Sequence, residues 1–275
     1  MLKRLWHAYE VVAMVLGLGL LAVICLTWTP FALLLLPVLP PAQGRRVGRA
    51  AIRIGFRLYL TLLQLLCACR FDLRELDALA REPGPMVVVA NHPSLLDAVI
   101  LASRLPNAVC IMKAALMHNF LLGAGARLAR YIVNDAPLPM IRRAVHELQE
   151  GATLIIFPEG TRTVTPPVGG CTATAGIMAS RGGAPVQTLL IEMSSLYLGK
   201  HWPIWRPPAL PLTVRVRRGE RWDLGGPAGD FGQRVEAYFR GALAADLSPD
   251  LAPGSAPTDP SAAHATLPLE REARP

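Results

Sequence analysis

A histidine and an aspartate stand five positions apart in the segment Asn-His-Pro-Ser-Leu-Leu-Asp, as His92 and Asp97. The run Met86–Ala90 before them is continuously apolar and rich in valine, which predicts a buried strand. We expect a helix to open at Pro93, because proline is favoured at a first helical position, and Asp97 then lies about one turn in. A carboxylate against one imidazole nitrogen fixes the tautomer and leaves the other nitrogen as a base. The pair predicts general-base chemistry at His92.

Asn91 and Ser94 flank this histidine, and we expect one of them to bond to nearby backbone amides as a helix N-cap does. The spacing of His92 and Asp97 is weak evidence by itself, because chance pairs of these residue types are common. A second group of chemically capable residues is therefore needed before the segment indicates a function.

That second group is Phe-Pro-Glu-Gly-Thr-Arg, residues 157–162, at the end of a predicted strand Thr153–Phe157. Its proline and glycine predict a tight turn at the strand's carboxyl end, where α/β sheets collect their ligands. Arg162 offers a planar fork of donors that matches phosphate oxygens, and Glu159 can position Arg162 or accept from a substrate hydroxyl. Seen alone, the segment also fits an ordinary turn with a surface ion pair.

Together, the two segments resemble the glycerolipid acyltransferase family, which includes the 1-acylglycerol-3-phosphate acyltransferases, over about residues 71–215. The resemblance implies transfer of a fatty acyl group from acyl-CoA or acyl-carrier protein to a lysophospholipid hydroxyl, with no metal or other cofactor. It implies that His92 is the base and Asp97 its partner. It also implies that the other motif residues bind substrate, and these are Asn91, Ser94, Glu159, Gly160, Thr161 and Arg162.

Two segments depart from the pattern of that family. Arg130 stands where glycine is usual and Asp135 near an expected arginine, and Ala173 stands where a basic residue is common. We expect either that another cation substitutes, with Lys113 and Arg181 as candidates, or that phosphate binding is weaker. Two alternatives therefore stay open: acylation of a specialised lyso-lipid of the ornithine-lipid or secondary-metabolite type, and a non-catalytic membrane-associated lipid-binding module.

The composition excludes several other classes. The chain is 52% apolar, only 17% charged, and carries a formal net charge of +8, which suits anionic lipids or phosphate-bearing substrates. Its basic residues are scattered and no recognition helix accompanies them, so we expect no nucleic-acid partner. The five cysteines form no Cys-x-x-Cys pair, which argues against a disulfide framework or a zinc site. No Gly-x-Ser-x-Gly elbow is present, so an acyl-enzyme is not indicated.

Residues 11–39 are uncharged and apolar, longer than the roughly 20 residues that cross a bilayer. Prolines interrupt the second half of this block, and arginine and lysine flank it on both sides, which favours the cytoplasm for both ends. We predict a bent or re-entrant hairpin within the block that enters one leaflet and returns, with a single span as the alternative. The pattern of residues 48–69, with arginines at its start and leucines after them, predicts an amphipathic helix at the membrane–water interface. We expect the protein at the cytoplasmic face of the inner membrane.

From about residue 71 strands and helices alternate, which predicts an α/β domain with helices on a mixed sheet. Further strands are expected at 185–191 and 212–217, and helices at 139–150 and 231–244. We predict three parts: membrane-anchoring helices at 1–70, a catalytic domain at 71–246, and a disordered tail rich in proline and alanine at 247–275.

Overall fold

The computed structural model describes residues 1–224 and 228–245, so the predicted tail at 247–275 lies outside the described residues. The described chain contains seven strands in one sheet. They are β1 Cys69–Asp72, β2 Met86–Ala90, β3 Ala108–Met112, β4 Ile132–Val133, β5 Thr153–Ile156, β6 Val186–Met193 and β7 Leu212–Trp222. The helices are α1 Leu2–Val38, α2 Pro41–Leu66, α3 Arg74–Leu79, α4 Leu96–Arg104, α5 Ala114–Met117, α6 Gly123–Leu128, α7 Pro137–Gln149, α8 Thr174–Gly182 and α9 Phe231–Ala245.

The sheet has the strand order β1-β7-β6-β2-β5-β3-β4. Strands β6, β2, β5, β3 and β4 run parallel to one another, whereas β7 is antiparallel to β6, and β1 is parallel to β7. The prediction of a mixed sheet flanked by helices is therefore confirmed. Because β6, β2 and β5 are adjacent and parallel, the three loops that follow them meet at one edge of the sheet, which we call the carboxyl edge.

Two apolar cores cover the two faces of the sheet. On one face, α2, α3 and α4 pack over side chains such as Val88 and Leu189, and on the other, α7, α8 and α9 pack over Val87 and Leu190. Strand β2 is buried at every position because it lies between both layers, which is why its sequence is a continuous apolar run rather than an alternating one.

The helix after β2 begins later than predicted. It was expected to open at Pro93, but α4 begins at Leu96, and residues 91–95 form a loop. The Ser94 hydroxyl accepts from the Leu96 N–H at 3.1 Å, and the Asp97 carboxylate accepts from the Ser94 N–H at 2.7 Å. These side chains satisfy N–H groups that have no intrahelical partner at the start of a helix, so they stabilise a helix that begins after Ser94 rather than at Pro93.

The apolar block at 11–39 contains no reversal, so the predicted hairpin inside it is wrong. Helix α1 is continuous through Pro30 and Pro37, and the chain turns only at Leu39, whose backbone is extended. Contacts before and after Pro30 hold α1 in one line, because the Thr29 hydroxyl lies against the carbonyls of residues 120 and 121 and Ala32 is buried against α6. The reversal of chain direction comes after this turn, where α2 runs back along α1.

Helix α2 packs two of its arginines, Arg45 and Arg49, toward the domain. Arg49 is buried and pairs with Glu147 of α7 at 2.6 Å, and Arg45 lies 3.0 Å from Glu150. Ile54, Leu58 and Leu65 are instead exposed. The predicted interfacial helix at 48–69 would place Arg49 at the lipid interface, but Arg49 and Arg45 instead hold α2 on the domain, because the carboxylates of Glu147 and Glu150 satisfy their charge.

Candidate active site

His92 and Asp97 meet at the carboxyl edge of β2. Nδ1 of His92 lies 2.9 Å from Oδ2 of Asp97, and the Asp97 side chain is fully buried. A carboxylate only accepts hydrogen bonds, so Nδ1 is the donor and the neutral ring keeps Nε2 unprotonated. The imidazole stacks on Phe157 with ring centroids 3.8 Å apart and planes 14° apart, which fixes the direction of Nε2. The predicted contact is present.

Burial determines the electrostatics of this pair. It raises the pKa of Asp97 above its ordinary value, while the hydrogen bonds from His92 and from the Ser94 N–H act in the opposite direction. Burial likewise lowers the pKa of Arg162, and attraction to the Asp97 carboxylate offsets part of that change. The buried Asp97 carboxylate therefore interacts with both His92 and Arg162.

Glu159 joins the two motifs through its carboxylate. Oε1 accepts from the backbone N–H of His92 at 3.1 Å and from the Thr163 hydroxyl at 2.7 Å, while Oε2 accepts from the Gly169 N–H at 2.8 Å. The Thr163 N–H in turn donates to the His92 carbonyl at 2.7 Å. The carboxylate is thus occupied by protein donors and fixes the backbone on either side of the histidine.

Asn91 and Ser94 also bond to the backbone. The Asn91 amide pairs with both backbone groups of Ile191 in β6, donating at 2.9 Å and accepting at 2.7 Å. Ser94 is fully buried, with its hydroxyl on the first turn of α4. The resemblance implied substrate contacts for these side chains, whereas the residues themselves predicted a bond to nearby backbone amides. The backbone bonds are present, and both side chains lie beneath His92 as supports.

The turn after β5 carries the remaining motif residues. Gly160 has φ +64°, a left-handed conformation that glycine adopts without strain, and its N–H donates to the Phe157 carbonyl. Arg162 donates through Nη1 to the carbonyls of Leu198 at 2.8 Å and Gly199 at 2.6 Å. Thr161 accepts from Nζ of Lys200 at 2.5 Å. The loop after β6 therefore lies directly on this turn.

Lys200 was not singled out from the sequence. No local pattern pointed to it, because its position at the carboxyl edge depends on β6 lying beside β2. The two cations that were singled out lie elsewhere. Lys113 is exposed at the end of β3, two strands from β2. Arg181 is in the last turn of α8, next to the start of β6 and hence at the edge opposite His92.

A cleft of about 650 Å³ borders the site. It lies between the first turns of α1, the loop after β6 and the residues that follow Arg162. Its lining includes His7, Glu10, Thr163, Val164, Leu196 and Lys200. Within the described residues, no group of three or more His, Cys, Asp and Glu side chains is arranged to hold a metal ion.

Comparison with known proteins identifies the domain. Residues 70–192 match the family model described as Acyltransferase. A 1-acyl-sn-glycerol-3-phosphate acyltransferase of Pseudomonas aeruginosa is 23% identical over 240 residues, 84% of this chain and 89% of the relative. The crystal structure of the 1-acyl-sn-glycerophosphate (LPA) acyltransferase PlsC from Thermotoga maritima is similar with a TM-score of 0.63 at 19% identity, covering 88% of this chain and 98% of that chain. The matched segment contains both motifs, and the chain is an acyltransferase whose residues 70–192 form a domain of that family.

Proposed function

We propose that this acyltransferase moves a fatty acyl group from an acyl thioester, on coenzyme A or acyl-carrier protein, to the free hydroxyl of 1-acylglycerol-3-phosphate. The observation that carries the proposal is the 2.9 Å contact between His92 and the buried Asp97, held beside the turn at Glu159–Arg162. The names of the Pseudomonas and Thermotoga relatives support the choice of acceptor.

The chemistry follows from the free Nε2 of His92. The imidazole takes the proton of the acceptor hydroxyl while that oxygen attacks the thioester carbonyl carbon. The C–S bond breaks as the tetrahedral intermediate collapses, and the imidazolium returns the proton to the departing thiolate. Asp97 stabilises the imidazolium through Nδ1, and Glu159 keeps the His92 backbone in place.

Membrane attachment through α1 and α2 belongs to the same proposal. Within the described residues, α1 is the one helix long and apolar enough to cross a bilayer. Most large apolar side chains that the fold leaves exposed lie on α1 and α2, for example Val15, Leu34 and Leu65. A lipid phase would cover these side chains, which water would otherwise contact.

The contacts of α1 favour a monotopic arrangement over a single span. Near its start, Glu10 accepts from the Leu210 N–H at 3.2 Å, and further along, Thr29 lies 3.4 Å from the Phe120 carbonyl. These points are about 28 Å apart along a helix, close to the thickness of the hydrocarbon core. A perpendicular span would put them on opposite sides of the membrane, yet both touch the same domain. We place α1 within one leaflet, at the cytoplasmic face.

The enzymatic proposal is tested with purified protein, labelled acyl-CoA or acyl-carrier protein, and a panel of lyso-acceptors. Wild type should acylate 1-acylglycerol-3-phosphate, and His92→Ala should lower the rate about 100- to 10,000-fold. Equal rates for the two proteins on every acceptor would remove the enzymatic proposal. A reporter fused at residue 1 tests the arrangement of α1, and its appearance on the side of the membrane away from the domain would restore the single span.

A further inference from the structure

Lys200 is a half-buried cation in the loop after β6. Its Nζ donates to the Thr161 hydroxyl at 2.5 Å, and among the described residues no carboxylate lies within ion-pair distance of it. A buried charge is usually paired, because desolvation without a partner is costly. An ammonium group held at this edge of the sheet by one hydroxyl is therefore ready to accept an anionic ligand.

The loop that carries Lys200 is fixed to both motifs. The Leu198 carbonyl accepts from the Leu95 N–H at 3.2 Å, in the loop after His92, and from Arg162 at 2.8 Å. Leu198 has φ +53°, a left-handed conformation that is costly for a leucine and persists only when surrounding contacts impose it. This anchoring places Lys200 beside Thr161 and Arg162 in a defined position.

The cleft beside Lys200 suits an amphiphilic anion. Lys200 lies in one wall, together with apolar side chains such as Leu196 and Val164, and the first turns of α1 form another wall. A lipid that reaches the cleft from the α1 side would meet the ammonium at the end next to the catalytic turn.

We propose that Lys200 is a substrate-binding residue that binds the phosphate group of the lysophospholipid acceptor, together with Arg162 and the Thr161 hydroxyl. This inference rests on the proposed function, since it identifies Lys200 as the side chain that selects the acceptor of that reaction. It assigns the role to a residue outside both motifs. Lys113 is exposed two strands away and Arg181 lies at the opposite edge, whereas Lys200 contacts the motif turn itself.

The test compares Lys200→Met and Lys200→Arg on two acceptors, 1-acylglycerol-3-phosphate and the phosphate-free 1-acylglycerol. Lys200→Met should raise KM for the phosphate-bearing acceptor about 10- to 100-fold, the loss expected for a hydrogen bond to a charged group, with a smaller change in kcat. The reaction with 1-acylglycerol should not change, and Lys200→Arg should retain most of the affinity. Arg142→Met, at an exposed position of α7, is the matched loss of one positive charge and should behave as wild type.

Equal losses on both acceptors would indicate a structural role and overturn the inference, as would an unchanged KM in Lys200→Met. A binding measurement separates this result from the fate of the proposed function. In the His92→Ala background, binding of 1-acylglycerol-3-phosphate should weaken at least about tenfold on adding Lys200→Met. If wild type acylates no acceptor, the proposed function fails, but the binding measurement still tests the role of Lys200. Weaker binding on adding Lys200→Met supports that role, and unchanged binding refutes it. Lys200→Gln repeats both measurements should the methionine variant fold poorly.

Discussion

Glu159 accepts a hydrogen bond from the backbone N–H of His92 at 3.1 Å, so the second motif holds the first in position. The same carboxylate holds Thr163 and Gly169, which places three segments of chain around one side chain. A glutamate that is conspicuous in the sequence as a candidate substrate ligand thus acts in this structure as the support of the histidine.

Glu159→Gln should reduce both stability and turnover. The carboxylate accepts three hydrogen bonds, whereas the amide oxygen accepts at most two and the NH2 group only donates, so at least one N–H or hydroxyl of the site loses its partner. Such a loss costs about 1–3 kcal/mol of unfolding free energy, and displacement of His92 should lower kcat more than it raises KM. Urea unfolding and steady-state kinetics measure the two effects. Asp223→Asn, the same carboxylate-to-amide change at an exposed position, is the control. A variant with native stability and a raised KM alone would show that Glu159 contacts substrate instead.

Asp97→Asn should separate activity from stability. Asparagine retains an oxygen that can accept from Ser94 and His92, but it has no charge to stabilise the imidazolium. We expect kcat/KM to fall about 100- to 10,000-fold. Stability at neutral pH should change little, because burial already disfavours the carboxylate charge. Activity assays and thermal unfolding at pH 7 check this expectation, and a variant that keeps a tenth or more of wild-type activity would contradict the assigned role.

The pH dependence of the wild type follows from the raised pKa of Asp97. As pH falls toward the ordinary value of 3.8, folded Asp97 takes up its proton before the unfolded chain does. In that window the native state binds more protons, so this group's contribution to stability increases as pH falls. Activity should fall in the same window, since the proton removes the negative charge that stabilises the imidazolium. Rate and unfolding free energy measured in parallel should therefore diverge on the acid side. In Asp97→Asn this contribution to the pH dependence of stability should disappear.

Sequence patterns predicted those parts of the fold that depend on residues close together along the chain. Strand β2 was placed at its observed residues and β5 within one residue, because uninterrupted apolar runs mark strands buried on both faces. The contact of His92 with Asp97 followed from a spacing of five. The contact of Lys200 with Thr161 could not be predicted in this way, because it depends on β6 lying beside β2. No local sequence pattern shows the order of strands in a sheet.

The orientation of α2 was missed for a different reason. A two-faced helix pattern shows that one side is charged and the other apolar, and it is usual for the apolar side to face the protein. In α2 the apolar Tyr59, Leu60 and Leu63 do face the core. Arg45 and Arg49 also face inward, because the carboxylates of Glu147 and Glu150 lie opposite them, while Ile54 and Leu58 remain exposed. Which face contacts protein depends on the partner surface, and a single helix does not contain that information.

The pair Arg49 and Glu147 should show strong coupling. Their side chains are 5% and 7% exposed, with Nη2 and Oε2 2.6 Å apart, and Arg49 also donates to the Ala129 carbonyl. Arg49→Met would leave the buried Glu147 only its longer 3.5 Å contact with Arg45, and Glu147→Leu would leave the buried Arg49 without a carboxylate. Each variant should therefore cost about 3–5 kcal/mol. The double variant should be more stable than either single variant predicts. Urea unfolding of all four proteins measures the coupling, and simple additivity would show that the two charges act independently.

Gly48 marks a close approach of α2 to the backbone of the domain, and its replacement should loosen that contact. A Cβ at this position would lie 2.5 Å from the backbone nitrogen of Ala129 and 2.8 Å from its Cα, so Gly48→Ala forces the backbones apart. We expect a loss of about 1–3 kcal/mol, although alanine favours helix by about 1 kcal/mol over glycine. Gly241→Ala in α9 is the matched control, because no atom lies within 4 Å of the added methyl group, and it should raise stability slightly. Thermal unfolding gives the comparison. If Gly48→Ala were as stable as Gly241→Ala, the close packing of α2 on Ala129 would be refuted.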